Sequence, residues 1–302
     1  MMNKTGIIKG ALLMVLAVLA AAPAACFAAG TSGGVFLNVG VSARAEGMGG
    51  AYSAIADDAT SVTVNPAGMV QVSGQQVSVM HNESLLDIEQ EYFSYVTSTG
   101  DKAYGMGLTY VDFGSQGKYN AQNQFLGVFV PKGYALSFAY AVQATEVTSY
   151  GVALKYITQE IAEYDDNTFA LDAGILYKPS DYGFRGAIVL SHLGSGLKLY
   201  QNEDPLPLTL KLASAYAFEE YPLLASADIY LIRDEDPEYH LGLQYTLSEI
   251  VPIRLGYDSG PDLDNGWTYG IGVQQESFSL DYAYTPAGDF DDHQRFSVIY
   301  SF

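Results

Sequence analysis

The sequence predicts an all-β fold: a transmembrane antiparallel β-barrel of about 14 strands, with an N-terminal hatch segment that plugs its lumen. Three observations predict it. The chain opens with an export signal, it alternates apolar and small polar residues from about residue 75 onward, and it shows no later apolar run near the ~18 residues of a membrane helix. A membrane protein without such helices must be a closed barrel, because only closure satisfies every backbone polar group in lipid.

The composition excludes several classes of protein. The 302 residues carry 14 Lys and Arg against 34 Asp and Glu, a formal net charge of −20. This charge repels nucleic-acid backbones, so we expect no nucleic-acid partner. A hydrophobic content of 49% is sufficient to bury a core and excludes disorder. The single cysteine excludes an intramolecular disulfide framework and a cysteine-based metal cluster.

Residues 1–28 have the pattern of a Sec signal peptide. Lys4 and Lys9 form its positive end, and the apolar stretch 10–22 has the length of a signal-peptide core. The small residue Ala28 predicts cleavage directly after it. Export without a later membrane helix therefore predicts the bacterial outer membrane as the location and outer-membrane lipid as a partner.

A lipoprotein signal is the alternative for this leader. In that case Cys26 is acylated and retained rather than removed. Pro23 stands where such signals usually carry Leu or Val, which disfavours the alternative. On the main interpretation the only cysteine leaves with the signal peptide.

Residues 29–72 differ from the rest of the chain and form the predicted hatch. They are rich in Gly and Ala, whose small size suits a peptide inside a narrow lumen and allows tight turns. An Asp at 57 or 58 is expected to cap a helical turn at 59–62, and the proline at 66 to open a further turn. The hatch and gating candidates are Arg44, Glu46, Gly49, Gly50, Asp57, Asp58, Asn65 and Pro66.

Arg44 is the cation of the hatch segment. Burying it without a partner would be costly, so we expect an ion pair. The candidate partners are the acids of the hatch itself, or the wall acids Asp172, Asp228 and Asp281.

Residues 73–302 form the predicted barrel, with one apolar-aromatic face and one small polar face on each strand. Val152 and Leu154, for example, alternate with Gly151, Ala153 and Lys155. A soluble sandwich also alternates, but small polar faces make a poor packed core, and apolar faces that end in Tyr or Trp are typical of a membrane girdle. The charged residues expected on the lumen wall are Lys155, Asp172, Lys211, Asp228, Arg254 and Asp281.

The chain contains fifteen candidate strand runs, whereas single-chain bacterial barrels have an even number. Removing 124–131 from the barrel makes short and long turns alternate, as in such barrels, so this run is assigned to a long outer loop. The predicted spans are 75–82, 89–98, 102–112, 133–143, 148–158, 167–178, 182–193, 207–218, 222–233, 237–247, 251–258, 267–275, 277–285 and 293–302.

The last strand ends in alternating aromatic residues. Phe296, Tyr300 and Phe302 resemble the C-terminal signal of bacterial outer-membrane barrels. The resemblance implies the barrel-assembly machinery as a partner of this strand.

Other constellations predict little chemistry. The glycines at 47–50 lack the preceding strand of a dinucleotide fingerprint, and no catalytic group or cofactor is expected, so the protein is not predicted to be an enzyme. The histidines His81, His192, His240 and His293 show no metal spacing, and no metal site is predicted. Asp262 and Asp264 hint at calcium, but Trp267 occupies the glycine position of a calcium loop.

The opening of the mature chain resembles the PorV/PorQ outer-membrane family, which in turn resembles the FadL-type fatty-acid transporter barrels. The matching positions are Arg44, Gly47, Gly49-Gly50, Asp57-Asp58 and Asn65-Pro66-Ala67-Gly68, in order and spacing. The resemblance implies fourteen strands, a hatch inside the barrel, and gated passage of a small hydrophobic compound. The PorV branch implies a different role, as an accessory or shuttle that meets a secreted protein or translocon in type IX-like secretion. A structural barrel without transport is the third alternative.

Overall fold

The computed structural model describes residues 32–84, 87–260, 265–288 and 292–302. The predicted signal peptide with its cleavage site, together with Asp262 and Asp264, lies outside the described residues. Within those residues, none of the helices combines the length and the apolar composition needed to cross a bilayer.

Fourteen antiparallel strands close into one barrel, as predicted. Each strand pairs with its neighbour in the barrel, and β1 closes the cylinder by pairing with β16, where Met80 lies opposite Ser297. The barrel strands are β1 (Gln75–Ser84), β2 (Ile88–Ser98), β3 (Lys102–Asp112), β6 (Lys132–Thr145), β7 (Thr148–Ile161), β8 (Tyr164–Tyr177), β9 (Gly183–Gly194), β10 (Thr209–Ala217), β11 (Leu223–Ile232), β12 (Glu238–Leu247), β13 (Val251–Asp258), β14 (Trp267–Gln275), β15 (Phe278–Thr285) and β16 (His293–Ser301).

The excluded run 124–131 does form a strand, but not a barrel strand. β4 (Gln116–Tyr119) and β5 (Phe125–Phe129) pair only with each other, in a separate two-stranded sheet. This hairpin lies in the long connection between β3 and β6. We call the end of the barrel that carries the longest connections, including this one, the outer end.

One predicted loop is wrong. The predicted spans leave 159–166 as a loop between two strands, but β7 and β8 stay paired to its tip, where Ile161 lies opposite Tyr164. Antiparallel pairing of Gln159 with Asp166 and of Glu160 with Asp165 uses the backbone groups that a loop would leave open.

The alternation of the sequence becomes two different barrel surfaces. On β7, Leu154 is 46% exposed whereas the adjacent Lys155 is 1% exposed. Aromatic residues pair across strands on the outer surface, as where Tyr104 and Tyr140 face each other with ring centroids 5.3 Å apart. The three C-terminal aromatic residues, Phe296, Tyr300 and Phe302, are exposed on the same surface.

The hatch segment contains four short helical turns: 3-10 turns at Val35–Asn38 and Pro66–Gln71, and α-helical turns at Ala43–Glu46 and Ser61–Val64. The turn predicted at 59–62 begins two residues later. Asp58 stabilises its start indirectly, because its carboxylate accepts hydrogen bonds from Thr60. Pro66 opens the last turn as predicted, with the Asn65 side chain accepting from the Ala67 amide at 3.1 Å.

The hatch runs through the lumen from the outer end towards the start of β1. Phe36 is buried at the outer end, against Leu197 and Leu206 of the β9–β10 connection. Met69 is buried near the opposite end, among small wall residues that include Ala103 and Ala141. The Val72 side chain is also buried in this cluster, three residues before β1 begins.

Glycines on the inner wall let the hatch backbone approach closely. A Cβ at Gly151 would overlap the backbone of Pro66 and Ala67, and a Cβ at Gly256 would overlap the Gly49 nitrogen. The neighbouring atoms are backbone, so they cannot rotate away. The small residues of the wall therefore set the distance between wall and hatch.

We predict that Gly256→Ala destabilises the barrel by about 1–3 kcal/mol, because the new methyl group overpacks a backbone contact. Urea unfolding in detergent micelles measures the change. Gly186→Ala is the matched control, since its Cβ would find its nearest neighbour, the Phe184 side chain, at 3.4 Å. Equal stabilities of the two variants would contradict the prediction.

Candidate functional site

The plugged lumen is the candidate functional site. The six charged residues predicted for the wall all lie on strands and turn inward: Lys211 is partly buried, and the other five are at most 2% exposed. They share the inward face because inward and outward residues alternate along a strand.

Lys155 and Asp172 form a buried ion pair between β7 and β8, with 2.6 Å between the Lys155 Nζ and a carboxylate oxygen of Asp172. The other oxygen of Asp172 accepts from the His192 backbone amide at 2.8 Å. The His192 Nδ1 lies 3.3 Å from the Lys155 Nζ, so it is positioned to accept a hydrogen bond from the ammonium group. The three residues form one polar network.

Arg254 and Asp281 form a second buried pair, 2.6 Å apart, and neither side chain is exposed. The Arg254 Nε also donates to Gln244 at 2.8 Å. Ser279 donates to the other oxygen of Asp281 at 2.7 Å. Charge-assisted hydrogen bonds of this kind offset the cost of taking two ions out of water.

Asp228 and Lys211 serve the hatch from β11 and β10. The Asp228 carboxylate accepts from the Ser53 backbone amide at 2.9 Å. The Lys211 Nζ lies 4.5 Å from the centre of the Tyr230 ring, a cation–π contact. The Tyr230 hydroxyl in turn donates to the Gly50 carbonyl at 2.9 Å.

Arg44 is paired as expected, but within the hatch. Its guanidinium lies 2.7 Å from Asp57 and 3.6 Å from Asp58, while the Tyr52 hydroxyl donates to both carboxylates. The three wall acids offered as alternative partners bind other groups instead, as described above. Arg44 pairs with the hatch acids rather than with the wall acids because Asp57 lies only thirteen residues from Arg44 in the same segment of the chain.

The pKa values of the two hatch carboxyls are shifted in opposite directions. Desolvation raises the pKa of the Asp58 carboxyl above its usual value. Desolvation acts on Asp57 too, but Arg44 and Arg185 outweigh it and hold the pKa of Asp57 below its usual value. Asp57 is therefore the ionised partner of Arg44.

Sequence reasoning missed four residues of this site: Arg185, His192, His240 and Arg295. Arg295 lies 2.9 Å from Glu46 of the hatch, and Arg185 lies 4.0 Å from Asp57. All four are at most 7% exposed. For Arg185, His240 and Arg295 the inward phase was the available signal, because each stands two residues from a small inward-facing position. His192 is out of phase with the inward residues of β9, at an irregularity where its φ is 62°.

Two glycines of the hatch form its closest contact with the outer half of the wall. Gly49 and Gly50 have φ angles of 64° and 78°, which non-glycine residues adopt at a cost. The Gly49 amide donates to Thr268 at 3.0 Å, and its carbonyl accepts from the His240 ring at 2.7 Å. These bonds fix one turn of the hatch against β12 and β14.

Asn65 and Pro66 hold the second half of the hatch. The Asn65 amide group donates to the Ser53 carbonyl at 2.9 Å and so joins two parts of the hatch. The wall contributes one bond here, from the Ser149 hydroxyl to the Ala67 carbonyl at 2.8 Å. Each bond is a single contact that water can replace.

Below the outer mouth, the described part of the lumen carries charges of both signs. On the hatch and the wall most of these groups form ion pairs, while Asp228 binds the Ser53 amide and Lys211 lies over the Tyr230 ring. The cations are Arg44, Lys155, Arg185, Lys211, Arg254 and Arg295, and the anions are Glu46, Asp57, Asp58, Asp172, Asp228 and Asp281.

A small cavity lies beneath the first turn of the hatch. Its volume is about 10 Å³, roughly the space of one water molecule. Hatch and wall both contribute to its mostly apolar lining, with one charged residue. The lining residues are Phe36, Leu37, Val39, Val41, Thr63, Thr109, Ala135, Ser137 and Lys155.

Comparison with known proteins places the fold. A model of an uncharacterised protein family (UPF0164) matches residues 34–156, which is less than half of the chain. That match covers the hatch and the first barrel strands. No curated protein sequence matches the chain.

Several solved structures share the whole architecture. The CymD monoaromatic hydrocarbon channel has a TM-score of 0.62 at 16% identity, with 87% of this chain and 98% of that chain covered. The toluene transporter TodX of Pseudomonas putida has a TM-score of 0.59 at 13% identity, covering 86% and 96%. A FadL homologue of Pseudomonas aeruginosa has a TM-score of 0.60 at 12% identity, covering 83% and 96%. The chain therefore has the fold of FadL-type barrels.

We predict that Arg254→Met lowers the free energy of unfolding by about 3–5 kcal/mol, because it leaves Asp281 buried and unpaired. The double variant Arg254→Met with Asp281→Leu removes both charges and should recover most of this loss. Lys118→Met is the control, because Lys118 and its partner Glu163 are 43% and 54% exposed and such a solvent-screened pair contributes little to stability. Urea titration in micelles tests all three; similar losses in Arg254→Met and Lys118→Met would contradict the assignment.

Proposed function

We propose that this protein is an outer-membrane barrel through which a small hydrophobic compound passes, with the hatch as its gate. The observation that carries the proposal is the hatch itself. Residues 33–72 thread the lumen and contact the wall on many strands through single hydrogen bonds and ion pairs. A purely structural barrel could fill its lumen with side chains, without a separate segment.

The described conformation is the closed one. The cavity under the hatch accommodates about one water molecule, so a compound with the size of a benzene ring requires the hatch to move. The hatch is tied to the wall by polar contacts that exchange for contacts with water. Displacing it exposes paired charges, which water solvates, together with the apolar side chains of Phe36, Met69 and Val72.

Two observations support the proposal that the compound is hydrophobic. The cavity beneath Phe36 is lined by Leu37, Val39, Val41 and Ala135 around one ammonium group, a pattern suited to an apolar ligand with a polar end. Two of the similar barrels are a monoaromatic hydrocarbon channel and a toluene transporter. These functions are those of the other proteins, and for this chain they guide the choice of test compounds.

We predict that a disulfide between hatch and wall blocks uptake. The pair Ala67→Cys and Ser149→Cys joins positions whose carbonyl and hydroxyl oxygens lie 2.8 Å apart. Liposomes holding the oxidised variant should take up toluene or fatty acids much more slowly than the parent barrel, and dithiothreitol should restore the rate.

The matched control places the disulfide within the wall. Ser78 and Ser94 are register partners on β1 and β2 and both face the lumen, so Ser78→Cys with Ser94→Cys leaves the hatch free. Its uptake should equal that of the parent. Uptake that is absent from the parent barrel, or equal in the oxidised and reduced hatch variant, would refute gated passage and favour a structural barrel.

A second function follows from the PorV resemblance, namely contact with an exported protein or a secretion component at the outer end. The β4–β5 hairpin favours it. Tyr119, Phe125, Leu126 and Val128 are each more than half exposed on this short sheet, outside the barrel. Exposed apolar groups of this kind are typical of contact surfaces.

This second function predicts a specific crosslink. A photoreactive amino acid at Leu126 should capture an exported protein or translocon component in intact cells, whereas the same group at Leu241, on the lipid face of β12, should not. Recovery of lipid and barrel-assembly factors alone at both positions would exclude the role.

A further inference from the structure

Three potential metal ligands meet at the outer mouth of the lumen, which their spacing in the sequence did not predict. Glu238 and His240 stand two residues apart on β12, and so point to the same face of the strand. Asp258, at the end of β13, is the register partner of His240. One potential ligand atom from each residue lies within 4.8 Å of the others.

The His240 ring is held in a defined orientation. Its Nδ1 lies 2.7 Å from the Gly49 carbonyl of the hatch, and a carbonyl only accepts, so Nδ1 carries the proton and donates. The lone pair of the neutral ring is then on Nε2. A ring nitrogen that donates to a backbone carbonyl while the other is free to bind metal is the usual arrangement of a metal-binding histidine.

The free nitrogen is buried without a hydrogen-bond partner. His240 is 4% exposed, and its Nε2 is 3.6 Å from the nearest carboxylate oxygen of Glu238, beyond hydrogen-bonding distance. Leaving such a group unsatisfied is costly, which indicates that a ligand belongs between these atoms. Two ligand bonds of about 2 Å at a tetrahedral angle separate the ligand atoms by roughly 3.3 Å, close to the observed spacing.

We propose that Glu238, His240 and Asp258 bind a transition-metal dication of the Zn²⁺ class. One imidazole and two carboxylates suit such an ion better than Ca²⁺ or Mg²⁺, which prefer oxygen ligands alone. Asp258 would bind the ion through its Oδ2, because its Oδ1 accepts from the Gly260 amide at 2.8 Å and lies 3.2 Å from the His240 Nδ1. Glu238 and Asp258 are 16% and 24% exposed, so the ion enters from the outer solvent.

The site also connects the metal to the hatch. An ion on Nε2 keeps the ring in the tautomer that donates from Nδ1 to Gly49. The bound metal therefore strengthens the contact between β12 and the hatch turn at Gly49 and Gly50. This inference goes beyond the passage of a hydrophobic compound and does not depend on it.

The experiment uses the mature barrel without a histidine tag, folded in detergent and stripped with a chelator. Calorimetric titration with Zn²⁺, and absorbance titration with Co²⁺, should each give one ion per barrel. Glu238→Gln and His240→Gln should each weaken binding by at least about tenfold. Amide hydrogen exchange at residues 47–51 should slow on adding Zn²⁺ to the parent and stay unchanged in Glu238→Gln.

His81→Gln is the matched control, because His81 also lies beside a carboxylate, Glu91 at 2.7 Å, but on the exposed surface. It should bind Zn²⁺ like the parent. Retention of the folded band in unheated SDS gels confirms that each variant is a closed barrel. Tight binding in Glu238→Gln and His240→Gln, loss in His81→Gln, tighter binding of Ca²⁺ than of Zn²⁺, or no saturable binding would each overturn the proposal.

Discussion

This structure depends on one constraint: the hatch backbone approaches the wall closely at positions where the wall residue is glycine. Gly151, Gly174, Gly242 and Gly256 lie on four different strands, and a Cβ on any of them would overlap an atom of the hatch or a neighbouring wall side chain. A barrel of fourteen strands encloses more space than its own small inward side chains occupy. The hatch fills that space, so the residues that face each other on the wall and on the hatch both have to be small.

The buried charges of the filled lumen impose a second requirement, because each ion needs a partner. Ions such as Arg254 and Lys155 are almost fully buried, yet each meets a carboxylate at 2.6 Å. A buried pair contributes little net stability compared with an apolar pair, but an unpaired ion costs a great deal. The pairs therefore specify where each part of the hatch lies.

The two ends of the barrel carry different kinds of side chain. The end where β1 begins is closed by apolar packing, with Met69 and Val72 among small wall residues. The outer end carries the polar His240 cluster and the exposed apolar β4–β5 hairpin. The hatch turn at Gly49 reaches this end through its bond to His240.

The sequence by itself determined the strand count and the strand boundaries to within about three residues. Those features follow from a two-residue period and from turn lengths, which are local. Only the tertiary structure decided that Arg44 pairs with Asp57 rather than with Asp281, and that His240 meets Asp258. Partners across a barrel depend on register and on the path of the hatch, and neither leaves a periodic trace in the chain.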